Sequence, residues 1–339
     1  MFKTNKRKLR GIIIIPILIL LAVTALFYNT ASSQTWKFAV ISDTHDDDKD
    51  HTATGVTPYL APIIHCIVEE KPDMVFETGD LIVGALTSQA SPVYKKYDVQ
   101  YENYQQAVKP LKEANIPLFV IRGNHDYGEA EGDADLAKAY KETFAEQMPQ
   151  NGPADAKGLT YSVTHKKIKF IMLDQYVQTQ NRSVSLPMDW LKAELENQQG
   201  IDHVFVMGHS PAYAPNKEER VHFNLYDQPV LRDQFWNLLA DHHVTAYICG
   251  HKHVYFRGNV RGVEQIDTGN LGSALNYKPK NVDKTLMDIF PATDVTVKKN
   301  RPGYVIFTVD SAKKTITANE YSLDENNNKY LYDTYQFTF

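Results

Sequence analysis

Cysteine is scarce in this sequence, because the 339 residues contain only Cys66 and Cys249. With 43% hydrophobic and 23% charged residues, the composition is that of an ordinary globular enzyme. Cys66 lies in a helical pattern and Cys249 ends an apolar run, so we expect two free thiols packed in the core rather than a disulfide. The sequence also lacks internal repeats and low-complexity tracts, which excludes a solenoid and a disordered chain.

Basic residues are in deficit, with 36 Lys and Arg against 41 Asp and Glu. Five of the basic residues lie in the first 33 positions, which contain no acidic residue. The rest of the chain therefore has ten more acidic than basic residues. This acidic part of the chain, residues 34–339, is called the body of the protein below. Its net negative charge argues against binding to duplex nucleic acid, although local metal ions could still attract a small phosphate ester.

The first 33 residues differ in kind from the rest. A basic stretch precedes an apolar run from Gly11 to Phe27, and small residues follow at 31–33. The run has no polar face, which excludes a buried core helix. We expect residues 1–33 to be a signal peptide or an N-terminal membrane anchor. Either would place the body of the protein outside the cytoplasm, secreted or tethered.

From Trp36 onward, short apolar runs alternate with helical periodicity, which predicts an α/β fold. Continuous apolar runs are typical of strands buried on both faces; they are Lys37–Ser42, Met74–Thr78, Leu118–Ile121, Val204–Met207 and Thr245–Cys249. Helices are predicted at Tyr59–Glu70, Tyr101–Asn115, Leu136–Phe144, Met188–Asn197 and Gln228–His242. A hairpin is predicted from Leu159–His165 and Ile168–Asp174. After His253 the pattern predicts strands without helices, at Val254–Asn259, Val263–Thr268, Tyr304–Asp310 and Thr315–Ser322. No linker interrupts residues 34–339, so we expect one domain.

Each of the five apolar runs ends in a polar cluster of metal-ligand type. The clusters are Asp43-Thr44-His45, Gly79-Asp80, Gly123-Asn124-His125-Asp126, Gly208-His209 and Gly250-His251-Lys252-His253. Sites in open α/β sheets lie beyond the carboxyl ends of the strands, so the clusters should converge on one crevice. The two-residue spacing of Asp43 and His45, and of His251 and His253, places each pair on one face of extended chain. The glycines allow the backbone to approach the site closely.

This ordered set of motifs resembles the calcineurin-like metallophosphoesterase superfamily, over residues 37 to 268. The resemblance implies a sandwich of two mixed β-sheets flanked by helices, with the active site at the carboxyl ends of the strands. It also implies two divalent metal ions, and a ligand set of nitrogen and oxygen suits Mn, Fe or Zn. By resemblance one ion is held by Asp43, His45 and His253, the other by Asn124, His209 and His251, and Asp80 bridges both.

One position departs from the family pattern. The second motif of the family often carries a further acid three residues after the Asp, where this sequence has Val83. Val83 also excludes the Tyr ligand that purple acid phosphatases have there, so we expect no iron–tyrosinate centre.

The resemblance further implies phosphoester hydrolysis by attack of a metal-bound hydroxide, with His125 protonating the leaving oxygen or hydrogen-bonding the phosphoryl group. We expect Asp126 to orient the imidazole of His125 and keep it protonated, which is the usual role of a carboxylate partner. We expect Asn124, Tyr213, His222 and Tyr277 to contact the substrate, because the last three lie in long loops after His209 and Asn270. The expected substrate is a small organic phosphate, nucleotides included. A phosphodiesterase, a protein phosphatase, a noncatalytic binding module and a metal-binding export protein remain alternatives.

Overall fold

The computed structural model describes residues 35–46, 54–84, 97–128, 133–177, 183–214, 223–271 and 301–338. The N-terminal segment, His222 and Tyr277 lie outside these residues. Among the helices in the described part of the chain, none is long and apolar enough to cross a membrane.

Twelve strands and six α-helices make up the described part of the chain. The strands are β1 (Thr35–Ile41), β2 (Met74–Glu77), β3 (Leu118–Val120), β4 (Tyr161–His165), β5 (Ile168–Met172), β6 (His203–Met207), β7 (Ala246–Cys249), β8 (Tyr255–Val260), β9 (Val263–Thr268), β10 (Gly303–Asp310), β11 (Thr315–Leu323) and β12 (Lys329–Thr338). The helices are α1 (Leu60–Glu70), α2 (Tyr97–Glu113), α3 (Asn124–Tyr127), α4 (Ala134–Thr143), α5 (Met188–Glu196) and α6 (Pro229–Asp241). Every strand and helix that the sequence predicts is present, with ends shifted by at most four residues. Strand β12 and the four-residue helix α3 have no counterpart among the predicted elements.

The strands form two six-stranded mixed sheets. The first has the order β12-β11-β10-β1-β2-β3, and the second has the order β4-β5-β6-β7-β9-β8. Strands β1, β2 and β3 are parallel, as are β5, β6, β7 and β9, whereas the remaining pairs are antiparallel. The parallel strands therefore end at one edge of each sheet, and this confirms the predicted sandwich of two mixed sheets.

Strand β1 shows why the strands have continuous apolar sequences. Phe38 and Val40 face the core between the two sheets, whereas Ala39 and Ile41 face the core beneath α1, α2 and α4. Phe38 stacks on Phe307 at 4.5 Å between ring centroids. Because Phe38 is fully buried, we expect its truncation to alanine to cost ~3–5 kcal/mol of unfolding free energy.

The two cysteines belong to different parts of the structure. Cys66 packs beside the core under α1, and the buried Cys249 packs in the core under α5 and α6. Both are free thiols, which confirms that they form no disulfide with one another.

Candidate metal centre

The loops that follow β1, β2 and β7 hold several polar residues in left-handed backbone conformation. The φ angles are 55° at Asp43, 57° at Asp80, 74° at His251 and 52° at His253. Positive φ is uncommon outside glycine and costs on the order of 1–3 kcal/mol per residue in sparsely populated regions. Four such residues in three neighbouring loops indicate that the fold stabilises this arrangement of side chains at the expense of local backbone energy.

The first ligand group consists of Asp43, His45, Asp80 and His253, whose ligand atoms all lie within 4.8 Å of one another. The Nε2 atoms of His45 and His253 are 3.1 Å apart, and His253 Nε2 lies 3.4 Å from Asp43 Oδ1. The first three of these residues are buried, and His253 is partly exposed. Two imidazole nitrogens and two carboxylates converge here, as a divalent cation requires.

The second ligand group consists of Asp80, His209 and His251, again within 4.8 Å. His209 Nε2 lies 3.1 Å from Asp80 Oδ2. Asn124 belongs to the same place, because its Oδ1 is 3.1 Å from His209 Nε2 and 2.8 Å from His251 Nδ1. We include Asn124 in the second ligand group from here on.

Asp80 is common to both ligand groups. Its Oδ2 faces His209 at 3.1 Å and His45 at 3.9 Å. Its Oδ1 accepts a hydrogen bond of 2.8 Å from the backbone N–H of His125. Oδ2 is therefore the oxygen that is placed between the two groups, while Oδ1 anchors the carboxylate.

The hydrogen bonds of His209 show that the site fits a cation. Its Nδ1 lies 2.9 Å from the carbonyl oxygen of Thr78 and so carries a proton. In the neutral ring, the lone pair of Nε2 then points at two acceptors, Asp80 Oδ2 and Asn124 Oδ1. Three acceptors facing one another need a cation between them or a further proton.

The pKa values of the ligand residues reflect the same crowding. Burial lowers the pKa of His209, but the Asp80 carboxylate outweighs it and raises this pKa to about 9. Burial acts against the charged form of Asp80, yet the histidines around it hold its pKa well below the usual range. Burial, with His209 nearby, holds the pKa of His251 well below its usual value. The carboxylate of Asp80 thus strongly favours a positive charge at His209.

Glycine is required where two loops touch the ligands. A Cβ at position 123 would lie 2.6 Å from Asp80 Cγ, and one at position 250 would lie 2.8 Å from Ser42 Cβ. Carbon atoms in contact are normally ~3.5–4.0 Å apart. Gly123 and Gly250 therefore allow the loops to approach Asp80 and the first strand, as the sequence analysis predicts.

His125 lies at the rim of the site with its ring fixed in place. Its Nδ1 is 2.6 Å from the carbonyl oxygen of Val83, so Nδ1 carries the proton. The ring also stacks on that of His45, with 4.2 Å between centroids. This leaves Nε2 as the nitrogen that can accept or donate a proton. Val83, the position that departs from the family pattern, thus supports His125 through its backbone.

The prediction that Asp126 orients His125 is wrong. The Asp126 carboxylate is buried and accepts hydrogen bonds from the N–H groups of Leu81 and Gly123 and from the Tyr101 hydroxyl. Burial, and then the charge of Asp80, raises the pKa of Asp126 to about 7. Asp126 ties the loop after β3 to the loop after β2 and so shapes the site without contacting the imidazole.

Tyr213, one of the expected substrate contacts, is half-buried in the loop after β6. Its ring packs edge-on against Trp236 at 4.9 Å, and the Arg232 guanidinium lies over it at 5.4 Å. Both partners belong to α6, so the tyrosine holds that helix against the loop after His209. The expected contact at Tyr213 stays a prediction, as do those at His222 and Tyr277, which lie outside the described residues.

One residue of the site is missed by the sequence analysis. Asn224 is buried, and its Oδ1 lies 2.7 Å from Nε2 of His251. It follows His209 by fifteen positions in a stretch without strand pattern, so the sequence gives no signal for it.

The comparisons with known proteins agree with this geometry. The family model described as calcineurin-like phosphoesterase matches residues 37–255. Tartrate-resistant acid phosphatase type 5 of Homo sapiens is 27% identical over 169 residues, which are 45% of this chain and 48% of that protein. The probable glycerophosphodiester phosphodiesterase GpdQ of Arcobacter nitrofigilis is 24% identical over 63% of this chain and 70% of that protein.

A solved structure shows the same fold. The purple acid phosphatase PPD1 from yellow lupin superposes with a TM-score of 0.61 at 18% identity, covering 90% of this chain and 54% of that one. The chain spans about half the length of the human phosphatase and of the lupin enzyme. Because the family model covers well over half of the sequence, the chain belongs to the calcineurin-like phosphoesterase family, a family of metal-dependent phosphoric ester hydrolases.

Proposed function

We propose that this protein hydrolyses small phosphate esters at a dinuclear metal site. The observation that carries the proposal is the position of Asp80, whose Oδ2 lies between the two ligand groups. A single carboxylate shared in this way is what two neighbouring cations need as a bridge.

The proposed ligands follow from the two groups. Asp43, His45 and His253 would hold one ion, and Asn124, His209 and His251 would hold the other. Nitrogen and oxygen donors of this kind suit Mn, Fe or Zn. Divalent ions there would activate water for attack and neutralise charge that develops on the phosphoryl oxygens.

The residues of the chain supply the rest of the chemistry. Asp80 Oδ1, held by the His125 N–H, keeps the bridging carboxylate in one orientation. Val83 fixes the proton of His125 on Nδ1. Nε2 of His125 would therefore exchange a proton with the leaving oxygen or hydrogen-bond the phosphoryl group, which is the usual task of a positioned histidine.

For the substrate, we propose a phosphate ester with a small organic leaving group. The names of two relatives describe an acid phosphatase and a glycerophosphodiester phosphodiesterase, so a monoester and a diester are both to be tested. Arg122 offers no contact to the phosphate, because it forms a buried two-point ion pair with Asp174 at 2.6 and 3.1 Å.

The test is turnover of p-nitrophenyl phosphate and bis(p-nitrophenyl) phosphate by the purified body of the protein. We expect hydrolysis that a chelator abolishes and added Mn restores. A noncatalytic binding module would take up metal without turning over either ester, and that result would refute the proposal.

We also propose that the protein is exported. The basic stretch before residue 11 and the apolar run from Gly11 to Phe27 support this proposal. Protease added to intact cells, or to spheroplasts where an outer membrane is present, should digest the body while a cytoplasmic marker protein stays intact. Full protection of the body would refute export. N-terminal sequencing would then distinguish cleavage near Ser33 from a retained anchor.

A further inference from the structure

The imidazole of His251 lies between two amide oxygens. Its Nδ1 is 2.8 Å from Asn124 Oδ1, and its Nε2 is 2.7 Å from Asn224 Oδ1. A neutral imidazole has one N–H and can donate to only one of them. Donation to Asn124 would block Nδ1, whereas donation to Asn224 leaves the Nδ1 lone pair pointing into the second ligand group.

The orientation of the Asn224 amide is determined by a third residue. Its Nδ2 donates a hydrogen bond of 2.8 Å to Asp227 Oδ2. An ionised carboxylate accepts but cannot donate, so the NH₂ of Asn224 must face Asp227. The carbonyl oxygen of the amide must then face His251, which requires the proton on Nε2 of the imidazole.

The local backbone keeps these groups together. Asn224 precedes a 3₁₀ turn at Leu225–Asp227, which returns Asp227 to the side of Asn224. The N–H of Leu225 donates a bond of 2.7 Å to Ser210 Oγ, and Ser210 follows the candidate ligand His209 directly. The segment that orients His251 is thus attached to the loop of another member of the second ligand group.

We propose that Asn224, with its amide held by Asp227, is a positioning residue that fixes His251 as the Nε2–H tautomer and leaves Nδ1 to bind metal. This inference rests on the dinuclear site proposed above and adds to it a residue outside the ligand set. Partners of this kind typically change metal affinity by ~10–100-fold when they are removed.

The first readout is the tautomer of His251 in the metal-free protein, by ¹⁵N NMR of the imidazoles. The His251 signals are identified by their absence in a His251→Gln variant. We expect the Nε2–H form in the native protein and a shift toward Nδ1–H in Asn224→Ala. An Nδ1–H native form, or an unchanged Nε2–H form in Asn224→Ala, would overturn the proposal.

The second readout is Mn binding by isothermal titration. We expect Asn224→Ala to weaken one of two binding events by ~10–100-fold and to leave the other unchanged. The exposed Asp227→Ala change should give a smaller loss in the same event. In the double variant Asn224→Asp/Asp227→Asn, the two side chains are exchanged. The new carboxylate at position 224 accepts from His251, and the new amide at position 227 donates to that carboxylate. The affinity for Mn should therefore recover.

The outcomes separate this inference from the proposed function. If the native protein binds no metal, the dinuclear site fails, and the tautomer measurement still decides the role of Asn224. If the native protein and Asn224→Ala bind two ions with equal affinity, the dinuclear site stands and the positioning role is refuted. If the exchanged pair shows no recovery although its thermal unfolding is native-like, the orientation argument is likewise wrong.

Discussion

Gly123→Ala is expected to disable the metal site without disrupting the fold. The new Cβ would lie 2.6 Å from Asp80 Cγ, and closer still to Asp80 Oδ1 and its backbone nitrogen. Normal carbon–carbon contact needs at least ~3.5 Å, so Asp80 or the loop at Gly123 must move by at least about 0.9 Å.

That displacement can be compared with what a metal site tolerates. Metal–ligand distances in working sites vary by only ~0.2 Å, so a shift of about 0.9 Å removes Asp80 from a bridging position. If the loop moves instead, Asn124 and His125 are displaced by a similar distance. A 1 Å misplacement alone can lower turnover by ~10²-fold. Overpacking should lower the unfolding free energy by only ~1–3 kcal/mol.

The assay combines metal analysis, turnover of an aryl phosphate and urea unfolding on the same preparations. Gly262→Ala is the matched control, because a Cβ there meets nothing within 4 Å. Its φ of 86° means that alanine costs ~1–2 kcal/mol of stability while the site is untouched. Full metal content and native turnover in Gly123→Ala would show that the site tolerates the added Cβ and would contradict this prediction.

Three further predictions concern single side chains. Asp80→Ala should lose both ions in metal analysis, whereas Asp43→Ala should keep one, because only Asp80 belongs to both ligand groups. Two ions bound to Asp80→Ala would contradict the bridging role of Asp80. His125→Ala should lower kcat by ~10²-fold or more at unchanged metal content, and lost metal would mark it as a structural support. Burial raises the pKa of Glu77 from its ordinary 4.5 to about 8, so its stabilising contribution is full below pH 4.5 and lost as pH rises through about 8. Glu77→Gln should therefore weaken the fall in urea midpoint between pH 5 and pH 9 in chelator-treated protein, and an unchanged fall would contradict this.

The strands and the candidate ligands could both be predicted because the strands are buried on both faces. A strand buried on both faces, such as β1, has a continuous apolar sequence, and its end is marked by the change to polar residues. Since the parallel strands of each sheet end at one edge, Asp43, Asp80 and His209 could be assigned to one site from their positions in the chain alone.

Contacts that use the backbone could not be predicted in this way. His125 is oriented by the carbonyl oxygen of Val83, and any residue at position 83 could supply that oxygen. The sequence therefore suggested Asp126, a carboxylate next in the chain, although its side chain turns into the core.

Other contacts and elements were missed for related reasons. The half-buried ring of Tyr213 packs against Trp236, and this contact depends on where α6 lies. Asn224 reaches His251 only because the loop folds back onto Ser210. Strand β12 was missed because its polar and aromatic residues alternate at the edge of a sheet, where a continuous apolar run is not required.

The proposed hydrolysis of phosphate esters depends on two metal ions at this site. Its most direct test is to titrate Mn into metal-free protein while following the hydrolysis of p-nitrophenyl phosphate and bis(p-nitrophenyl) phosphate. We expect no turnover without metal and, for at least one ester, a rate that reaches its plateau at two equivalents of Mn per chain. Equal turnover in the absence of metal, a plateau at one equivalent, or no turnover of either ester at any metal content would contradict it.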